Sequence, residues 1–208
     1  MNAYLSGLFH NCWQALEAVG DEAEVFQRLV TAYQEPQRHY HTLEHLSECM
    51  ALFDDHRRLA AQPAEVEMAL WFHDAVYDVK ANDNEARSAE WAATALTNAG
   101  VNHQQVHRVV QHILATRHAD TPEPGDQSLL VDVDMAILGA PRARFDAYEI
   151  QVRAEYAWVP ETVFRQKRSE MLSAFLARPW LYNTPALRSM VETPARANLT
   201  RSLKALQA

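Results

Sequence analysis

"SLLVDVDMAILGA" occupies residues 128–140 and is the one stretch of the chain that invites a β-strand. Val131, Asp132, Val133 and Asp134 alternate apolar and charged, the period of a half-buried strand. The apolar residues then continue through Met135, Ile137 and Leu138 at helical spacing, and no other segment offers a partner strand. A lone strand leaves its backbone N–H and C=O groups unpaired. The stretch therefore reads as helix. With it the whole chain reads as all-α, a single helical domain of about eight to ten helices.

The neighbouring segments support that reading. Leu5, Leu8, Phe9, Cys12, Trp13 and Leu16 recur at helical spacing. Asp21 can cap a second helix carrying Val25, Phe26, Leu29, Val30 and Tyr33, closed by Pro36. Thr42 can cap a third, with Glu44 in its first turn and Leu46, Met50 and Phe53 as its apolar stripe. Pro63 suits the first turn of a fourth, expected to run to about Tyr77. Gly100 stops a fifth and Asn102 caps a sixth. "ADTPEPGDQ" is the clearest loop. Pro160 opens a later helix, and Thr193 with Pro194 signals the start of the last. The site region is placed at about 38–140, with the helices of 141–208 packing on it.

Composition narrows the function classes. With 48% hydrophobic residues among 208, the chain can build a substantial core. A formal net charge of −8 argues against a nucleic-acid duplex as partner. No run approaches the length of a membrane span, and the N-terminus lacks a basic stretch followed by an apolar core, so no membrane partner and no secretory signal are expected. Cys12 and Cys49 form no CxxC, which fits a reduced, cytoplasmic protein with structural thiols. Ten histidines, several in short groups, prompt a search for a metal site.

That search meets "LWFHDAVYD", residues 70–78, where a His-Asp pair interrupts an apolar segment. On a helix, Val66, Leu70, His73 and Tyr77 share one face, so His73 points inward and Asp74 lies one step around. Neighbours so placed do not face each other but can converge on a cation above them. The plainer alternative is a hydrogen-bonded core histidine beside a solvated carboxylate. In "RHYHTLEHL", residues 38–46, His45 falls in a first turn and shares an inward stripe with Cys49. Asp132 and Asp134 lie two apart in an otherwise buried segment, so at most one joins a given site easily. Each feature alone is ordinary. Together they offer two nitrogens and two oxygens to one helical interior, a donor set suited to Mn, Fe, Zn, Co or Ni.

In this order of motifs the chain resembles the HD superfamily of metal-dependent phosphohydrolases, and in particular a bacterial branch of predicted HD-domain phosphohydrolases. The likeness is carried by "RHYHTLEHL", "FHDAVYD", "NEARSA", "ATRHAD", "DVDMAILG", "VRAEY" and "ARANL", spanning about Arg38 to Asn198. The resemblance implies an HD-type all-α fold and a metal held by His45, His73, Asp74 and a later Asp, with Asp134 favoured and Asp132 left open. It implies one divalent ion (Mg joins the list above), since His112 and His118 do not form the adjacent pair expected of a two-metal member. It further implies a phosphomonoesterase or phosphodiesterase acting on a small phosphorylated substrate, a nucleotide above all, with Asp74 and Glu85 as catalytic carboxylates. His41, Arg38, Lys80, His118 and Arg153 are the expected substrate contacts. A homodimer is left open. Two other classes stay in view: a non-catalytic nucleotide or metal sensor, and an HD-type iron oxygenase.

Overall fold

Pro63–Phe72 is apolar almost all the way round, and a helix of that kind belongs inside a protein. In the structure, a computed structural model describing residues 2–118 and 121–207, this helix is α4, and every residue from Glu65 to Phe72 is buried. Around it stand α1 (Asn2–Ala15), α3 (Leu43–His56), α5 (Asn84–Asn98) and α6 (His103–Ala115), each in contact with α4. Helix α2 (Glu22–Ala32) packs on α1. Phe9 of α1 meets Trp71 of α4 edge-on, with ring centroids 5.2 Å apart. These helices, with most of α7 (Asp126–Asp134), form the first of two compact units, Met1–Val131.

Two acidic residues ride inside this apolar helix, and buried carboxylates need partners. Glu65 accepts two hydrogen bonds from Arg108 of α6, at 2.6 and 2.7 Å. Glu67 pairs with Arg57, just past the end of α3. Asp126 accepts from the backbone N–H groups of Ala61 and Gln62, which lead into α4.

The second unit, Asp132–Ala208, holds α8 (Arg142–Glu155), α9 (Glu161–Ala177), α10 (Pro185–Gln207) and a 3₁₀ stretch, Met135–Gly139. The 3₁₀ stretch lies against α10 so closely that a Cβ on Gly139 would sit 2.6 Å from Cβ of Val191. The Asn198 amide fixes the contact, donating to the carbonyls of Leu138 and Ala140 at 2.9 Å each. Glu192 accepts from the N–H groups of Leu181 and Tyr182 and from Arg196, pinning the connection before α10.

Among the described residues there are ten α-helices and no strand, so the all-α expectation holds. No described helix is long and apolar enough to cross a membrane. The caps at Asp21, Thr42 and Asn102 form as the sequence indicates, each side chain accepting from a first-turn N–H. Two boundaries differ. Pro194 lies inside α10 instead of opening it. Its missing N–H removes the bond to Met190, an exposed position where that carbonyl can be solvated. Helix α4 stops at Phe72, five residues before the expected Tyr77, for a reason that lies in the site itself.

Candidate metal centre

His73 ends its own helix. Its Nδ1 lies 2.7 Å from the carbonyl of Leu70, the acceptor that a longer helix would give to the N–H of Asp74. The Asp74 N–H points instead at the Tyr33 hydroxyl. A carbonyl can only accept, so Nδ1 of His73 carries a proton and Nε2 is the ring nitrogen turned outward.

That nitrogen meets two other possible ligand atoms. His73 Nε2 is 3.2 Å from Nε2 of His45 and 3.1 Å from Oδ2 of Asp74, and His45 Nε2 is 3.6 Å from the same oxygen. Both histidines are buried and Asp74 keeps a side-chain exposure of 19%. The triangle fits one ion: at bond lengths of about 2.1 Å, neighbouring donors stand about 3.0 Å apart at 90° and about 3.4 Å at the tetrahedral angle. His45, His73 and Asp74 can therefore hold a metal ion. Cys49, one turn after His45, brings its sulfur to 3.7 Å from Nδ1 of that ring.

The electrostatics agree with the geometry. Burial pushes the Asp74 carboxyl up, but the His73, His41 and His45 imidazoles outweigh it and hold the group well below the usual carboxylate range. His41 stacks on Tyr77, centroids 4.1 Å apart. The turn 75–79, continuing from Asp74, lines an open cleft of about 690 Å³ with Arg28, Glu35, Arg87 and Trp91. That volume is in the range of small-molecule sites.

The other expected site residues separate into groups. Arg38 lies beside the cage, but its guanidinium donates to the carbonyls of His41, Asp74 and Ala75 and to Glu35. Its side chain is fully buried, so it faces protein and not a substrate phosphate. Lys80 is exposed in the turn after Asp78. Glu85 stands in the first turn of α5. His118 follows α6 in the left-handed region, φ 54°, and the last two residues of "ATRHAD" lie outside the described residues. Arg153 is engaged between α8 and α9, bonding Glu161 and the carbonyls of Tyr156 and Val159.

Asp132 and Asp134 both fall in the second unit. Asp132 is fully buried and accepts from the N–H groups of Asn183 and Thr184, the two residues leading into α10. Burial pushes its carboxyl up, and these donors pull it part of the way back. Asp134 ends α7 and is half-buried. His112, in α6, is buried with neither ring nitrogen hydrogen-bonded. Sequence reasoning did not single out Tyr33, whose hydroxyl receives the Asp74 N–H and donates to the Trp71 carbonyl. Nothing in its spacing separates it from an ordinary core tyrosine.

No protein-family model matches this chain, and no curated protein or solved structure matches it either.

Proposed function

We propose that this protein is a metal-dependent phosphohydrolase that cleaves a phosphate ester of a small molecule, a nucleotide foremost. The observation that carries the reading is the convergence of three possible ligand atoms of His45, His73 and Asp74 at 3.1–3.6 Å in a largely buried setting. A bound divalent ion supplies Lewis-acid polarisation of a phosphoryl oxygen and of the attacking water.

The chain's own residues do the rest. Leu70 fixes the His73 ring, so the nitrogen offered to the ion is set before it arrives. Asp74 brings the negative charge of the three donors. The resemblance implies a later Asp as fourth ligand, and Asp134 is the one proposed, since the Asp132 oxygens accept from the backbone before α10. Glu85 is the carboxylate proposed to orient the water. His41, Lys80 and His118 are the proposed substrate contacts, and the cleft beside the 75–79 turn is the space proposed for the substrate's body.

The test is elemental analysis of the purified protein, followed by a panel of nucleotide and sugar phosphates with Mn, Fe, Zn, Co, Ni and Mg. The expected result is metal-dependent release of phosphate or nucleoside, abolished in His73→Ala and Asp74→Ala while helical circular dichroism persists. Full metal retention in both variants overturns the site. Tight binding of metal and nucleotide without turnover favours a sensor, and two bound irons with an oxygen-dependent colour change favour an oxygenase.

A further inference from the structure

The last carbonyls of a helix have no partner within it. At the end of α4 they can be followed one by one. The Leu70 carbonyl takes the His73 ring, that of Trp71 takes the Tyr33 hydroxyl, and that of Phe72 takes the N–H of Ala75. Past His73, the carbonyls of Asp74 and Ala75 take Nη1 and Nη2 of Arg38 at 2.6 and 3.1 Å. Nη1 also reaches the His41 carbonyl at 3.2 Å, and Nε reaches Glu35 at 3.0 Å. The rings of Tyr33 and Tyr77 lie 5.2 and 5.4 Å from the guanidinium carbon.

One guanidinium thus ties together two stretches that are far apart in sequence. One is the turn bearing Asp74. The other is the lead-in to α3, whose first turn carries His45. We propose that Arg38 is a positioning residue for the cation site, its buried fork holding the His41 and Asp74–Ala75 backbones so that the donors of His45, His73 and Asp74 stay converged. It hydrogen-bonds to none of those donor atoms, only to backbone carbonyls and Glu35. An arginine is required because its planar fork reaches two carbonyls at once, which a lysine ammonium on a single stem does not reproduce. This inference rests on the metal reading given above.

Co²⁺ is the probe, because its visible d–d absorption reports both affinity and geometry. Arg38→Lys and Arg38→Ala are compared with wild type and with Arg108→Met, which removes a different partner of a buried group, the Glu65 carboxylate of α4. Thermal stability is recorded for all four proteins. The expected result is a loss of Co²⁺ affinity of about tenfold or more in both Arg38 variants, the size seen when partners behind a ligand are removed. Their spectra change, and methylguanidinium partly restores binding in Arg38→Ala. Arg108→Met keeps wild-type affinity and spectrum whatever it loses in melting temperature. If Arg38→Ala does not fold, Arg38→Lys carries the comparison. Wild-type affinity and spectrum in the Arg38 variants, or a loss no greater than that of Arg108→Met at equal destabilisation, overturns the role of Arg38. A wild-type protein that takes up no Co²⁺ overturns the metal reading itself, and the two failures are told apart by the wild-type titration alone.

Discussion

Replacing Asp132 should damage stability and spare the cation site. Its carboxylate accepts from the Asn183 N–H at 2.8 and 2.9 Å, from the Thr184 N–H, and from the Asn183 side chain at 3.3 Å. Thr184 in turn accepts the first bond of α10, from the N–H of Arg188, so the carboxylate holds the start of a 23-residue helix. Hydrogen bonds to a charged acceptor contribute about 1.5–3 kcal/mol each, and two backbone donors lose theirs in Asp132→Ala. Asn183 and Thr184 are only half-buried, so water recovers part of that loss. The expected net is about 2–3 kcal/mol, at or above the top of the ~0.5–2 kcal/mol of an ordinary N-cap deletion, because two backbone donors are lost. For a chain of this length that is a fall of about 5–10 °C in melting temperature. Asp132→Asn keeps one acceptor and should lose roughly half as much. Asp134→Asn should do the opposite, lowering bound metal with little change in melting. The assay is calorimetric melting paired with metal analysis of the folded protein. An Asp132→Ala variant that melts within 2 °C of wild type, or that loses its metal while Asp134→Asn retains it, refutes the reasoning.

Three further outcomes are expected. Burial holds the His112 imidazole below its ordinary range, with Asp126 and Glu65 opposing and Arg108 adding to the effect. The unfolded chain therefore takes up this proton first, so stability is lost as pH falls below about 6.5. His112→Leu should flatten that limb in urea melts run from pH 7.5 to 5, and an unchanged slope would exclude His112 as its source. Gly139→Ala drives a methyl into Val191 and its carbonyl, and overpacking of this kind costs about 1–3 kcal/mol, readable in chemical denaturation. Chelation should leave the circular dichroism spectrum helical, since the core of α4 and its neighbours is packed by apolar side chains. Readdition of the ion should raise the melting temperature, by about 2.7 kcal/mol of stabilisation at a hundred times its dissociation constant.

The helices were legible because their signals are local. Asp21, Thr42 and Asn102 each accept the first-turn N–H that their position implies, and Gly100 takes the positive φ, 74°, expected past a helix end. His45 and His73 were placed inward by their apolar neighbours, and both are buried. The end of α4 was not legible. Apolar spacing continues to Tyr77, and what stops the helix is the His73 ring turning back on Leu70, aided by Tyr33 and Arg38 from other segments. Arg38 was expected to contact a substrate, because nothing local says that three backbone carbonyls await it. Spacing alone could not tell Asp132 from Asp134, two residues apart, since what Asp132 holds is the backbone at 183–184, far away in sequence.

The two carboxylates inside α4 bear on the site in a further way. A helix that is apolar on every side has no stripe to tell it which way to face, and packing alone would tolerate more than one rotation about its axis. Glu65 and Glu67 lie about 200° apart around that axis, and one is claimed by α6 and the other by the residue after α3. Any other rotation strands a carboxylate in an apolar interior. The two pairs thus act as redundant keys: either one alone sets the azimuth of the helix, and through it the direction in which His73 and Asp74 leave its end, and only the loss of both frees it. Replacing both pairs with apolar residues of similar volume should preserve helix content while broadening the Co²⁺ spectrum. A spectrum as sharp as wild type would show that the azimuth is set elsewhere.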